Sequence, residues 1–189
     1  MENIFFDQGK LKSCGKNVVI GKTANVRYPE LVEIGDNCRI DDFTYISTAL
    51  KLTRHCHIAT HCSITGGRNS YVEFGDFSGL APAVNLVAAS ENYRSAIPNI
   101  FLPLKYREGQ VVGKIMIADH CVLGTGSTVL PNVTFQEGSI LGANALVLSD
   151  TTLDAWTIYV GNPARAVAKK RDREHVLMLA KEYYEELKG

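Results

Sequence analysis

The 189 residues carry 20 Lys and Arg against 20 Asp and Glu, a formal charge of zero. No basic run interleaves with aromatic residues, which argues against a nucleic-acid partner. No apolar stretch approaches the ~20 residues needed to cross a bilayer, so no membrane insertion is expected. Residues 1–7 lack a basic, apolar leader, which points to a cytoplasmic protein.

Residues 1–17 show no regular phase and read as an N-terminal cap segment. Ile20-Gly21 and Val26 open an array with a six-residue step, and Ile34, Ile40, Ile46, Leu52, Ile58 and Ile64 then follow six apart. Gly66-Gly67-Arg68-Asn69-Ser70 breaks the phase and reads as a turn or bulge pushing a loop outward. Phe74, Leu80 and Leu86 resume the step, which then stops for about 25 residues. The intervening segment, 91–113, is rich in Pro, Tyr and charge and must project from the regular body.

A second array is stricter. Ile117, Leu123, Val129, Phe135, Leu141, Val147, Leu153 and Tyr159 stand six apart, with a small residue usually four positions after each. A helix repeats at 3.6 residues and a strand at two, so a period of six belongs to neither alone. It predicts an all-β solenoid of hexapeptide repeats, a parallel β-helix whose short strands turn a corner every six residues. The solenoid should span 18–166. Residues 167–189 follow, with a short C-terminal α-helix over 172–187 read as a cap on the open end.

Cys38, Cys56, Cys62 and Cys121 each fall four residues after a leading Ile or Leu, in the small inward slot. They read as core thiols rather than disulfides. In Arg54-His55-Cys56-His57-Ile58-Ala59-Thr60-His61-Cys62 the same register turns the histidines outward and the cysteines inward. The two types cannot converge, and no metal is expected.

The run Ile117-Ala118-Asp119-His120-Cys121-Val122-Leu123-Gly124-Thr125-Gly126-Ser127-Thr128-Val129-Leu130-Pro131-Asn132, with Leu141-Gly142-Ala143-Asn144 and the ending Gly161-Asn162-Pro163-Ala164-Arg165, resembles the hexapeptide-repeat acyltransferases. His57-Ile58-Ala59, Phe74-Gly75-Asp76-Phe77-Ser78-Gly79 and Ala89-Ser90-Glu91-Asn92-Tyr93 bring it nearest the maltose, galactoside and polysaccharide-sugar acetyltransferases, including those acting on dTDP-linked 4-amino sugars. The resemblance implies a left-handed coil, a homotrimer, acetyl-CoA as cosubstrate, and O- or N-acetylation of a sugar or nucleotide sugar for surface polysaccharide.

Carried over from the resemblance, the position at which the galactoside-type members hold a catalytic histidine falls on Glu91. Either Glu91 is the base, with its pKa raised by burial between subunits, or the acceptor is an amine that Glu91 merely orients. His57 is the other candidate base. The resemblance assigns acetyl-CoA to Gly124, Thr125, Gly142, Ala143, Leu148, Ser149 and Arg165, with Lys169, Lys170 or Arg171 pairing its phosphates. Asn85, Ser90, Tyr93 and Arg94 are expected to bind the acceptor, helped by Tyr106 and Arg107. The alternatives are a metal-dependent enzyme like the γ-type carbonic anhydrases and a non-catalytic β-helix scaffold.

Overall fold

The structure is a computed structural model, and it describes residues 3–187. The chain winds as a left-handed parallel β-helix of about seven turns. An eight-stranded sheet forms one face, stacking Val19–Ile20, Arg39–Ile40, His57–Ile58, Gly79–Leu80, Val122–Leu123, Ile140–Leu141 and Thr157–Val160 in parallel. Its outward column runs Val19, Arg39, His57, Gly79, Val122, Ile140, Ile158.

An eleven-stranded sheet wraps the other two faces. One carries the outward column Asn25, Tyr45, Ser63, Asn85, Thr128, Leu146. The other carries Ser13, Glu33, Lys51, Glu73, Met116, Thr134, Thr152. Tyr45–Leu52 and Ser63–Phe74 run unbroken across the corner between them. Gly66–Ser70 is therefore a bulge inside a continuous strand, with register shifts between Ser47 and Ala49 on its partner.

The inward slots explain the period. Ile117, Leu123, Val129, Phe135, Leu141, Val147 and Leu153 are all buried, and so are Cys38, Cys56, Cys62 and Cys121. All five cysteines are free, and Cys14 is exposed. Each coil stacks like on like, so the core is one continuous column of apolar side chains.

The corners need residues in the left-handed region. One corner stacks Asn17, Asn37, His55, Phe77, His120 and Trp156, all at positive φ. Asn tolerates this conformation, whereas a bulky ring there costs of order 1 kcal/mol or more. Stacking offsets that cost: Phe77 lies between His55 at 4.8 Å and His120 at 5.3 Å, with rings tilted by only 6° and 3°.

The helix Arg173–Glu186 does not cap the open end, contrary to the sequence expectation. It runs back along this aromatic corner, where Tyr183 and Tyr184 meet His55 and Phe77 edge-on. The last rung, Thr157–Val160, is instead covered by the antiparallel strand Arg165–Lys170, which satisfies its exposed backbone groups. At the other end the Asn3 amide donates to the Gly21 and Ala24 carbonyls at 2.9 and 2.7 Å. No described helix is long and apolar enough to cross a membrane.

Candidate active site

The 91–113 segment leaves and rejoins the solenoid through a two-stranded antiparallel stem, Ala89–Ser90 against Val111–Val112. Inside the stem Asn92 ties the loop to itself. Its amide donates to Glu108 O at 3.0 Å and its Oδ1 accepts from the Arg94 and Ser95 N–H groups. At the base of the loop lies a cleft of about 430 Å³, lined by Ser90, Glu91, Tyr93, Arg107 and Gln110 on the loop side. Thr65 to Asn69 of the bulge line its opposite wall.

Glu91 is the best-held side chain in the cleft. Arg107 donates to its Oε1 at 2.5 Å and Gln110 to its Oε2 at 2.8 Å. The Arg107 guanidinium, then the Gln110 amide, hold its carboxyl below the usual carboxylate range. The direction is opposite to the raised value expected of a buried base. The reason is the arginine, which stabilises the charged form more than desolvation penalises it.

Of the expected acceptor residues, Ser90 and Tyr93 line the cleft with Glu91. Asn85 sits in the preceding strand, Asn85–Val87, outside the lining, its amide donating to Ala83 O at 3.2 Å. The Arg94 side chain is exposed outside the lining. Tyr106 is exposed on the loop, its ring under Lys105.

His57 lies elsewhere. It projects from the eight-stranded face, its Nε2 2.8 Å from Asp41 Oδ2, and Asp41 also pairs with Arg39. Beside it is a shallow depression of about 320 Å³ floored by Gly79, Ala81 and Pro82. Glu91 and His57 are therefore on different faces, and one chain cannot bring them to one substrate atom.

The residues assigned to acetyl-CoA occupy the later coils. Gly124-Thr125 and Gly142-Ala143 stack at one corner, where the Asn144 N–H donates to Thr125 O at 2.8 Å. Leu148 and Ser149 are exposed at the opposite edge of the adjoining face. Gly124 has a packing reason of its own: a Cβ there would meet the Ala143 amide nitrogen at 2.6 Å. Arg165 is exposed and donates to its neighbour's carbonyl. Arg171 is not free for phosphates. It turns inward to donate to the His120 and Gly138 carbonyls, and lies over Trp156. Lys169 and Lys170 remain exposed.

Among the described residues no three His, Cys, Asp or Glu side chains converge on a point that would hold a metal ion. Sequence reasoning missed Gln110 and the bulge wall of the cleft. The bulge was visible as a phase break, but its proximity to the loop arises from pairing of Thr65 with Val87, 22 residues on.

No family model matches the chain. It is 30% identical over 174 residues, 90% of this chain and 88% of the relative, to the dTDP-4-amino-4,6-dideoxy-D-glucose acyltransferase of Escherichia coli. The chain belongs to the hexapeptide-repeat acyltransferases. The solved structure of AntD, an N-acyltransferase from Bacillus cereus in complex with dTDP and 3-hydroxybutyryl-CoA, matches this acyltransferase with a TM-score of 0.89. The identity is 32%, covering 99% of this chain and 100% of that one. A maltose O-acetyltransferase from Clostridium difficile 630 shares the acyltransferase's fold, with a TM-score of 0.53 and 21% identity over 88% of this chain and 73% of that one.

Proposed function

We propose that this acyltransferase moves an acyl group from acyl-CoA, acetyl-CoA in the simplest case, to the amino group of a nucleotide-linked amino sugar. The observation that carries the reading is the paired state of Glu91. A carboxylate held by a guanidinium is a weak base, and no histidine lines the cleft. A hydroxyl needs a base to become a nucleophile, whereas a neutral amine brings its own lone pair. The whole-chain likeness to an N-acyltransferase supports the same choice.

The amine nitrogen attacks the thioester carbonyl, forming a C–N bond and a tetrahedral oxyanion. That intermediate collapses with cleavage of the C–S bond, and the departing thiolate takes the proton from nitrogen. The products are an amide and free coenzyme A. Glu91 orients the amine through its carboxylate, and Asn85 and Ser90 supply further polar contacts. The donor lies along the later coils past Thr125, Ala143, Leu148 and Ser149, with Arg165 toward its nucleotide end.

Three copies complete the enzyme in this reading. The loop tip supports it: Ile100, Phe101 and Leu104 are 69, 89 and 72% exposed in the single chain. His57, oriented by Asp41, then serves the contact between copies.

A thiol-release assay on Glu91→Gln and His57→Ala tests the assignment. Glu91→Gln is expected to raise the acceptor KM and keep kcat within a few-fold, and His57→Ala to keep kcat when the trimer is intact. Loss of kcat by the 10²- to 10⁴-fold typical of a missing general base, in either variant, reverses the reading.

A further inference from the structure

The Gly66–Ser70 bulge interrupts an otherwise regular strand, and the acyl-transfer chemistry makes no use of it. It is firmly built. Ser70 and Thr48 are buried with their hydroxyls 2.7 Å apart, and Ser70 Oγ donates back to Gly67 O at 3.1 Å. Gly67 takes φ +78°, and a Cβ on Gly66 would stand 2.1 Å from Ser70 Oγ. Glycines are required at both positions, so the bulge holds one shape.

That shape presents Arg68 and Asn69 to the rim of the loop cleft, across from Glu91 and Arg107. The Arg68 guanidinium lies 4.4 Å from the Tyr28 ring centre, and Arg27 approaches the same ring at 5.6 Å. One carboxylate, Glu30, pairs with Arg68 at 2.8 Å, and both side chains are about half exposed. Such a pair contributes little and exchanges readily for a stronger anion. Arg68 thus stands on an aromatic platform at the rim of the cleft whose other side holds Glu91, and Arg27 shares that platform.

We propose that Arg68, carried by the bulge and backed by Arg27, binds the diphosphate of the nucleotide-linked acceptor. The inference rests on the function proposed above. A planar guanidinium suits bidentate contact with phosphate oxygens. In the proposed arrangement the donor runs past Leu148, three rungs further along this face from the bulge strand and about 14 Å away at strand spacing, with its nucleotide end toward Arg165. The acceptor nucleotide therefore occupies the early coils and the donor the later ones, and they meet at the coil of Asn85.

Titration calorimetry of wild type, Arg68→Met and Arg68→Lys with dTDP and, separately, with coenzyme A tests this. Arg68→Met is expected to weaken dTDP about ten- to a hundredfold, the worth of a hydrogen-bonded charge contact, with coenzyme A affinity and melting temperature unchanged. Arg68→Lys should recover part of the loss. In steady state, Arg68→Met should raise KM for the dTDP-linked amino sugar and leave kcat and the acyl-CoA KM alone. Unchanged dTDP binding in Arg68→Met, beside intact wild-type binding, overturns this assignment alone. Weakened coenzyme A with unchanged dTDP gives the arginine to the donor and also overturns it. Failure of the wild-type enzyme to bind dTDP overturns the nucleotide-sugar function, and this inference with it.

Discussion

Ser70→Ala removes the hydroxyl that pins the bulge. Three contacts share two protons there: Thr48 Oγ1 to Ser70 O at 2.9 Å, the hydroxyl pair at 2.7 Å, and Ser70 Oγ to Gly67 O at 3.1 Å. In the variant Thr48 still donates to the residue-70 carbonyl, so its own proton stays placed. The Gly67 carbonyl loses its donor, and the hydroxyl pair is gone. Leaving such a group unsatisfied costs about 1–3 kcal/mol. Taking about 2 kcal/mol, a domain of this size loses about 4–8 °C in melting temperature. Differential scanning calorimetry reads this directly, and calorimetric titration should show a several-fold weaker dTDP affinity as Arg68 loses its fixed position. A melting temperature within about 1 °C of wild type, with dTDP binding intact, would refute the view of the bulge as a rigid mount.

Glu91 has a depressed pKa, so its pairing with Arg107 is in place above the ordinary carboxyl range and is lost only as pH falls through the lowered value. Between pH 5 and 8 the acid limb of kcat/KM should therefore follow the acceptor amine, and Glu91→Gln should leave it in place; a limb that vanishes in this variant contradicts the pairing argument. Ala143→Trp should raise the acyl-CoA KM at least tenfold without changing the melting temperature, since Ala143 is exposed on the corner proposed for the donor. An unchanged KM would move the donor off that corner. Phe77→Ala removes the ring between His55 and His120 against which Tyr183 and Tyr184 lean. It should cost about 1–3 kcal/mol and speed amide exchange across Arg173–Glu186 in particular; uniform exchange would show that the helix docks by other contacts.

The solenoid was legible because one inward slot recurs every six residues and tolerates little else. Phe135 and Leu141 advertise the same environment as Ile117 and Leu123, and the four inward cysteines fell out of that register. Contacts between coils were harder to read. His55, Phe77 and His120 stack in space although they lie 22 and 43 residues apart, and the second gap contains the whole projecting loop. Nothing local to Tyr183 and Tyr184 announces that corner as their partner, and an apolar helix stripe by itself suits the open end equally well. The same holds at the site. Glu91 and Arg107 were both recognisable as candidates, but their pairing depends on the stem that Ala89–Ser90 and Val111–Val112 close, and with it the direction of the Glu91 pKa. Arg171 looked like a phosphate ligand in a basic run, and only the fold shows it spent on backbone carbonyls.

The central claim is that the acceptor supplies its own nucleophile as an amine. The most direct measurement is coenzyme A release from acetyl-CoA with two acceptors that differ at one atom, a dTDP-linked 4-amino-4,6-dideoxyglucose and its 4-hydroxy counterpart. The account predicts turnover of the amino sugar and kcat/KM lower by at least two orders of magnitude for the hydroxy sugar, as for a reaction lacking its general base. Equal kcat/KM for the two would contradict it and return the search for a catalytic base to Glu91 and His57.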